Sequence, residues 1–289
     1  MATFVESLHS GRVLLMDGAM GTELQRAGMA ERECYELWNL THPDKVRAIH
    51  QAYVAAGAEC ILTHTFQSNP QALARYGQEA ALEPINAAAL DIARSAAPSP
   101  LFVLADIGPM QGDESALRRT LRSLCMADAF LLETWSHLPP HLQGSVHEQN
   151  WNPHRLPVLF SITCRLHPQT VKPIADVALP ALADWAHATG IAALGVNCGK
   201  EIGMDEILDL VRRLRQVTDL PLFARPNAGT PRRFFGRWLY PLTSLDMALG
   251  LPEELFEAGV RMIGGCCGTT PETIRVFRKI VDSWNVRRK

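Results

Sequence analysis

The sequence lacks the features of membrane, secreted and nucleic-acid-binding proteins. No uninterrupted apolar stretch reaches the roughly 18–20 residues that a membrane-spanning helix needs. The first ten residues do not combine a basic region with an apolar run, so we expect no secretory signal. The formal net charge is −2, from 28 basic and 30 acidic residues, and it favours neither a nucleic acid nor a membrane as a partner.

Low-complexity tracts, linkers and runs of like charge are also missing, so we expect one domain over residues 1–289. The apolar share of 47% and the charged share of 20% are typical of a globular protein. Seven cysteines in a chain of this size, without a signal, predict reduced thiols and a cytoplasmic location.

A short apolar run followed by a polar or glycine-rich turn and a helical pattern recurs eight times. Each run is apolar on both faces, as a strand buried in a parallel sheet should be. The runs are Val13–Met16, Cys60–Thr63, Leu101–Ala105, Phe130–Leu132, Val158–Ile162, Ala192–Val196, Leu222–Ala224 and Val260–Ile263. Eight such units predict a (β/α)8 TIM barrel. An open doubly wound sheet is the alternative, although its usual Gly-x-Gly-x-x-Gly turn does not follow the first run.

Helix starts can be assigned to two of the intervening segments. Thr41 is expected to cap a helix that has Pro43 in its first turn and continues through residues 46–56. Near the end of the chain, Thr270 is expected to cap a helix that begins with Pro271.

The positions at the ends of the apolar runs carry most of the reactive side chains. In a barrel these positions meet at one face, where active sites lie. They are Asp17, His64, Thr65, Asp106, Glu133, Thr134, Cys164, Asn197, Cys198, Asn227, Cys266 and Cys267.

Three of these cysteines form a candidate zinc site. Cys198 follows the sixth run, and Cys266 and Cys267 follow the eighth within Gly264–Thr269. Only one strand separates the sixth and eighth strands of a barrel, so the three thiolates can share one ion. Three thiolates suit tetrahedral zinc and leave a fourth position open, which is the arrangement of a catalytic site.

Two other interpretations of the adjacent cysteines are a vicinal disulfide and a pair of small buried residues. Consecutive Cα atoms lie only about 3.8 Å apart, below the usual range for a disulfide. Buried packing would leave the position of Cys198 unexplained. The remaining cysteines are expected to be packing residues, with a possible secondary role for Cys164; they are Cys34, Cys60, Cys125 and Cys164.

The chain resembles the homocysteine S-methyltransferases, which include S-methylmethionine-, betaine- and folate-linked enzymes. The resemblance extends from about residue 12 to about residue 282. Its pieces are Leu15–Thr22, His42-Pro43, Ile49-His50, Ala56–Ala58, Thr63–Asn69, Asp106–Pro109, Leu132–Thr134, Val196–Gly199, Pro226–Gly229 and Gly264–Pro271. The last of these, Gly-Gly-Cys-Cys-Gly-Thr-Thr-Pro, is highly specific in combination with the upstream Asn-Cys-Gly.

The resemblance implies a (β/α)8 barrel that binds Zn²⁺ on the three cysteines named above. It also implies that Asp17 and Glu133 hold the amino-acid end of homocysteine, assisted by backbone groups of Gly18 and Ala19. The residues themselves agree, because carboxylates suit an ammonium group. A helix cap for Asp17 and a structural ion pair for Glu133 are the alternatives.

Two further residues, His64 and Asn227, are expected to line the substrate pocket. The connection between Gly108 and Glu133 is shorter than in the family and passes directly into a helical stretch at 116–126. In relatives this segment helps to cover the donor side, so its shortening suggests an open mouth or one covered by a partner.

The expected activity is methylation of the homocysteine thiol to give methionine. A sulfonium such as S-methylmethionine is the first choice of donor, because we expect no appended folate or cobalamin domain. Betaine, methyl-folate and a separate corrinoid carrier protein are the alternative donors. A second copy of the chain, in a homo-oligomer, is the other candidate partner. A non-catalytic zinc-bearing module and a barrel aldolase with Lys200 as its Schiff-base lysine are the other classes, but the aldolase would leave the cysteines unexplained.

Overall fold

The computed structural model describes most of the chain. The described residues are 2–30, 32–96, 101–110, 114–139, 142, 152, 155–167, 170–173, 177–199, 202–235, 237–249 and 251–288.

The described residues form twelve strands. They are β1 (Leu14–Leu15), β2 (Cys60–Leu62), β3 (Phe102–Ile107), β4 (Ala129–Trp135), β5 (Val158–Ile162), β6 (Cys164–His167), β7 (Thr170–Pro173), β8 (Ala193–Asn197), β9 (Leu222–Arg225), β10 (Arg232–Phe234), β11 (Arg237–Leu239) and β12 (Val260–Ile263).

Eight of these strands form one parallel sheet that closes on itself. The order of hydrogen-bonded neighbours is β1-β12-β9-β8-β5-β4-β3-β2. A parallel bridge between Met16 and Cys60 joins β1 to β2, and the Asp17 N–H donates to the Cys60 carbonyl at 2.9 Å. The predicted (β/α)8 barrel is therefore confirmed, and the open sheet is excluded.

Helices follow the barrel strands around the outside. They are α1 (Phe4–Leu8), α2 (Gly21–Arg26), α3 (Trp38–Thr41), α4 (Pro43–Ala55), α5 (Pro70–Ala74), α6 (Leu82–Ser95), α7 (Glu114–Ser123), α8 (Leu179–Thr189), α9 (Met204–Arg215), α10 (Ser244–Ala248), α11 (Leu251–Glu257) and α12 (Pro271–Arg287). No helix in the described part of the chain is long and apolar enough to cross a membrane.

The core has two layers. Apolar side chains that point into the barrel, among them Met16, Leu131 and Phe223, pack with Phe4 of α1. A larger layer lies between the strands and the outer helices. Alternate residues of each strand supply the two layers, which explains why the runs are apolar on both faces.

The structure corrects several details of the sequence interpretation. Thr41 ends α3 and donates its hydroxyl to the Leu37 carbonyl, so His42 rather than Thr41 occupies the N-cap position of α4. The Thr270 cap is confirmed, since its hydroxyl accepts from the Thr273 N–H. Two antiparallel hairpins, β6–β7 and β10–β11, were not predicted, because short strands outside a core lack the buried apolar pattern.

Candidate metal and substrate site

The three predicted cysteines converge at the carboxyl ends of the barrel strands. Cys198 follows β8, and Cys266 and Cys267 follow β12, with β9 lying between these two strands in the sheet. All three sulfur atoms lie within 4.8 Å of one another. The Sγ atoms of Cys198 and Cys267 are 4.0 Å apart. The sequence prediction that these side chains meet is therefore confirmed, and the cluster could bind a metal ion.

The turn that carries the adjacent cysteines is held by its neighbours on both sides. The Gly265 N–H donates to the Asp17 carbonyl at 2.9 Å, and the Cys266 N–H donates to the Pro226 carbonyl at 2.8 Å. A Cβ on Gly264 would come within 2.6 Å of the Asp17 carbonyl oxygen. The paired glycines allow the turn to lie directly against the end of β1.

Two non-glycine residues at the site have left-handed backbone conformations. Thr134 has a φ of 62° and Cys198 a φ of 45°. The Asn197 side chain ties them together, because its Nδ2 donates to the Thr134 Oγ1 at 2.6 Å and its Oδ1 accepts from the Ser161 hydroxyl. Strained residues of this kind persist where the surrounding structure holds them, and they cluster at functional sites.

The three thiols differ in pKa because they hydrogen-bond to one another. A hydrogen bond from Cys198, together with one from Cys266, lowers the pKa of Cys267 well below the usual thiol value. Its bonds to the other two thiols raise the pKa of Cys198. For Cys266, the hydrogen bond from Cys198 lowers the pKa, but the bond to Cys267 and burial outweigh it and raise the value to about 12. Three thiolates cannot coexist here without a cation, and a bound metal ion would supply one.

A buried arginine that the sequence analysis missed lies between the two predicted substrate carboxylates. Arg225, the last residue of β9, is 3% exposed. Its Nη1 donates to the Asp17 Oδ1 at 2.9 Å, and its Nε lies 3.0 Å from the Glu133 Oε1. The Leu62 N–H donates to the Asp17 Oδ2 at 2.8 Å. An arginine at the end of the apolar run Leu222–Ala224 was the available signal.

This arrangement decides between the alternatives for the two carboxylates. Glu133 takes part in an ion pair inside the barrel mouth, as one alternative predicted. The helix-cap alternative for Asp17 is wrong, since Met20 is the N-cap of α2 and makes no side-chain cap, and both Asp17 oxygens accept from other groups. Whether either carboxylate also contacts a substrate stays a prediction.

Acidic groups outnumber basic groups in this part of the mouth. Asp106 lies within the same cluster, so three buried carboxyl groups surround one guanidinium. Burial raises the pKa of Glu133 to about 8, although Arg225 opposes the shift. Burial, reinforced by Glu133, raises the pKa of Asp106 well above the ordinary value. The Oδ1 of Asp106 has no hydrogen-bond donor among the described residues, and the Oε1 of Glu133 has only its ion-pair contact with Arg225 Nε, so the cluster can accept a further cationic donor.

The other predicted site residues differ in how they are placed. Asn227 is buried at the mouth, where its Nδ2 donates to the Gly199 carbonyl at 3.2 Å and its Oδ1 has no donor among the described residues. His64 is buried, with its Nε2 2.7 Å from the Tyr35 carbonyl oxygen, and its expected contact with the substrate pocket stays a prediction.

The backbone groups of the first loop are largely occupied. The Ala19 N–H donates to the Thr269 hydroxyl at 3.1 Å, and its carbonyl accepts from the Tyr53 hydroxyl at 2.8 Å. The Gly18 carbonyl lies 3.4 Å from Arg225 Nη2. These contacts hold the loop in place, and the expected contact with homocysteine stays a prediction.

Two cavities open beside the cysteines. The first, called the Cys198 cavity, has a volume of about 510 Å³. The second, called the Cys267 cavity, has a volume of about 890 Å³. Trp238 of β11 and Tyr240 line both of them. The Cys198 cavity is also lined by Thr134, Thr163, Cys164, Arg165, Gly199, Asn227 and Pro231.

The remaining cysteines and the alternative lysine are placed as follows. Cys34 and Cys60 are buried and Cys125 is half-buried, all outside the cluster. Cys164 is buried at the wall of the Cys198 cavity. Lys200, the lysine of the aldolase alternative, and residues 111–113 of the shortened connection lie outside the described residues.

The fold and the site together define a (β/α)8 barrel with a candidate three-thiol metal centre at the carboxyl ends of its strands. The sequence model of the homocysteine S-methyltransferase family matches residues 14–281, and the chain belongs to this family. The resemblance found from the sequence motifs is thereby confirmed.

Curated relatives and solved structures agree with this assignment. The chain is 31% identical to methionine synthase of Mycobacterium tuberculosis and 30% identical to that of Mycobacterium leprae, over 92% and 91% of its length. It spans about a quarter of the length of these relatives, 24% in each. The metallated crystal structure of the Escherichia coli homocysteine methyltransferase MmuM superposes with a TM-score of 0.75 at 25% identity, covering 95% of this chain and 99% of that one. The apo form gives 0.70 at 26% identity, over 92% and 95%.

Proposed function

We propose that the chain is a zinc-dependent methyltransferase that moves a methyl group from a small positively charged donor to the thiol of homocysteine, giving methionine. A sulfonium such as S-methylmethionine is the first choice of donor. The observation that carries the proposal is the convergence of three thiols beside two cavities at the carboxyl ends of the barrel strands. Membership of the homocysteine S-methyltransferase family supports the acceptor.

The spacing of the thiols supports zinc as the ion. Two sulfurs bound tetrahedrally at about 2.3 Å from one ion lie about 3.8 Å apart. The Sγ atoms of Cys198 and Cys267 are already 4.0 Å apart, so small side-chain adjustments suffice. Cys198, Cys266 and Cys267 would hold the ion, and the ion would activate the thiol of homocysteine beside them. The metallated form of MmuM supports the binding of a metal ion by a chain of this fold.

When bound, zinc would lower the pKa of a coordinated thiol so that it is deprotonated at neutral pH. A free alkyl thiol has a pKa of about 8.5 and is mostly protonated there. The three cysteine thiolates donate enough negative charge to keep the substrate sulfur nucleophilic. The chain then has to hold homocysteine in one orientation and keep competing water away from its sulfur.

The carboxylate cluster would receive the ammonium group of homocysteine. The buried Oδ1 of Asp106 has no donor among the described residues, the Oε1 of Glu133 has only Arg225 Nε as a partner, and acidic groups outnumber basic groups in the cluster. Arg225 would keep Asp17 and Glu133 oriented rather than contact the substrate. The Oδ1 of Asn227, which has no donor in the part of the chain that the structure describes, can accept a second hydrogen bond from the same ammonium group. The backbone of Gly18 and Ala19 would form one edge of the substrate site. His64 would act indirectly, by holding the loop that carries Tyr35.

Such a site requires reduced thiols, which supports the expected cytoplasmic location. Oxidation of any pair of the three would remove two ligands at once. One chain provides all three thiols. The metal centre can therefore form without the donor, a carrier protein or an oligomeric partner.

The proposal is tested with zinc-loaded protein, homocysteine and a panel of donors: S-methylmethionine, betaine and methyl-folate. We expect methionine to form with a sulfonium donor. Cys198→Ala should lose both zinc and methyl transfer. Cys125→Ala is the matched control, since that thiol is half-buried outside the cluster and should retain both. A Cys198→Ala protein with a full complement of zinc and full activity would refute the proposal.

A further inference from the structure

The side-chain amide of Asn197 joins the three-thiol cluster to the wall of the Cys198 cavity. Asn197 ends β8, is fully buried and directly precedes Cys198. Its Nδ2 donates to the Thr134 Oγ1 at 2.6 Å and to the Cys266 Sγ at 3.9 Å. Thr134 lines the Cys198 cavity, and Cys266 belongs to the thiol cluster. One amide group therefore contacts both halves of the site.

A serine sets the orientation of this amide. The hydroxyl of Ser161, which is also fully buried, donates to the Asn197 Oδ1, and its oxygen accepts from the Thr134 N–H at 3.2 Å. With the amide oxygen held on Ser161, the NH2 group faces the Cys266 sulfur. An amide NH2 group has two donors, so it suits a sulfur that carries negative charge, whereas an amide oxygen would be repelled by it. Every polar atom of the Asn197 side chain thus has a partner.

Two residues held by Asn197 have left-handed backbone conformations. They are Thr134 and the next residue in the chain, Cys198, with φ values of 62° and 45°. Residues other than glycine seldom adopt this conformation, and they keep it where several surrounding contacts hold them. Asn197 is the common neighbour of both, through its hydrogen bond to Thr134 and its peptide bond to Cys198. The amide is therefore placed to keep a cavity residue and a metal ligand in position together.

The hydrogen bond to Cys266 also acts on the charge of the cluster. Three thiolates whose sulfurs lie within 4.8 Å of one another repel each other strongly in a buried site. An N–H group that donates to one of them offsets part of this repulsion, because hydrogen bonds to charged groups are stronger than those to neutral ones. Groups that hydrogen-bond to metal ligands typically contribute about 10- to 100-fold to metal affinity.

We infer that Asn197 is a positioning residue that couples the metal centre to the substrate cavity. One amide hydrogen holds the Cys266 thiolate, and the other holds Thr134, the neighbour of Glu133 at the wall of the Cys198 cavity. Ser161 keeps the amide in this orientation. The inference rests on the proposed metal centre and adds two residues that bind neither the metal nor the substrate.

Titration of the reduced, metal-free full chain with Co²⁺ tests the inference without methyl transfer. Charge-transfer absorption between the thiolate sulfurs and Co²⁺ reports the electron density on sulfur. Asn197→Leu keeps a similar volume but removes both hydrogen bonds. We expect its Co²⁺ affinity to fall at least about tenfold. Its charge-transfer band should move to lower energy, because the Cys266 sulfur no longer shares its electrons with an N–H donor.

Two further variants separate the roles of the amide. Ser161→Ala leaves the amide in place but releases its orientation, so Co²⁺ affinity should fall about threefold and the band should move in the same direction. Thr134→Val removes only the hydroxyl that the amide holds at the cavity wall. It should weaken homocysteine binding, measured by calorimetry, about fivefold and leave the Co²⁺ band unshifted.

Asn86→Leu is the matched control for the loss of a buried amide. Asn86 is fully buried, and its Nδ2 donates to the Ser123 hydroxyl at 2.6 Å, between α6 and α7 on the outside of the barrel. This variant should lower the stability of the fold to urea, as Asn197→Leu does, but leave Co²⁺ affinity and the band unchanged. The comparison separates a role at the metal centre from a general contribution to folding.

The inference is overturned if Asn197→Leu and Ser161→Ala bind Co²⁺ with wild-type affinity and an unshifted band. It is also overturned if Asn86→Leu weakens Co²⁺ binding as much as Asn197→Leu, or if Thr134→Val moves the band as far. Should Asn197→Leu fail to fold, Ser161→Ala decides alone, and an unshifted band in that variant is sufficient to reject the inference. A wild-type chain that binds neither Co²⁺ nor Zn²⁺ would instead refute the proposed function.

Discussion

Replacement of Arg225 by methionine is the sharpest perturbation of the buried charge cluster. Methionine fills a similar volume but leaves Asp17 and Glu133 without their shared cation. Both carboxylates are almost fully buried, at 3% and 6% exposed. Removal of one partner from a buried ion pair costs about 3–5 kcal/mol, because the remaining charge is neither solvated nor paired. We therefore expect the free energy of unfolding to fall by about that amount at neutral pH.

The loss should also depend on pH. Burial already raises the pKa of Asp17 and that of Glu133, the latter to about 8, and Arg225 opposes both shifts. Without Arg225, the buried carboxyl groups of Asp17 and Glu133 keep their protons in the folded protein. The same groups release their protons in the unfolded chain, where carboxyl pKa values are ordinary. The folded state then binds more protons than the unfolded state, so stability falls as pH rises. One additional retained proton increases the loss by about 1.4 kcal/mol per pH unit between about pH 5 and 7.

Urea unfolding of the zinc-free, reduced protein, followed by circular dichroism at two pH values, measures this effect. Arg212→Met is the control: its ion pair with Glu254 is exposed and should contribute no more than about 1 kcal/mol. Adding Asp17→Asn to Arg225→Met should recover part of the loss at the higher pH. A loss below about 1 kcal/mol, or one that is equal at both pH values, would show that Arg225 does not compensate the carboxylates.

Further predictions concern the metal centre and one helix end. Zinc uptake at neutral pH should release about two protons, because two of the three thiols have raised pKa values; calorimetry in buffers of different ionisation enthalpy counts them, and release of none would contradict the thiol assignment. Gly265→Ala should weaken zinc retention, since a Cβ there would overlap the Thr269 side chain, and competition with a chelator measures it. Thr270→Ala should lower the unfolding free energy by about 1 kcal/mol without changing zinc content, and a loss of zinc would assign the cap a wider role.

Much of the barrel could be predicted because its signals are local. Each strand is a short run that is apolar on both faces, and each of the eight predicted runs overlaps a barrel strand. The predicted ends of the strands were less accurate than their positions in the chain. Asp106 and Glu133 lie inside β3 and β4 rather than after them, because a carboxylate that points into a polar barrel mouth does not end the hydrogen-bonded ladder.

The convergence of the three cysteines was predictable for a different reason. A parallel barrel brings the carboxyl ends of its strands together, so cysteines that follow the sixth and eighth strands must be near one another whatever the rest of the chain does. Residue type then indicates the chemistry. The sequence and the fold rule together were sufficient for Cys198, Cys266 and Cys267.

The amino-acid sequence by itself determined the strand order, the position of the thiols and the family, since each depends on short segments and on one rule of connectivity. Only the tertiary structure decided which contacts the remaining side chains make at the mouth of the barrel. Arg225 between two carboxylates, His64 turned toward the Tyr35 carbonyl and Trp238 between two cavities all depend on distances across the barrel. Such distances arise from the packing of residues far apart in sequence, and no local pattern of residues encodes them.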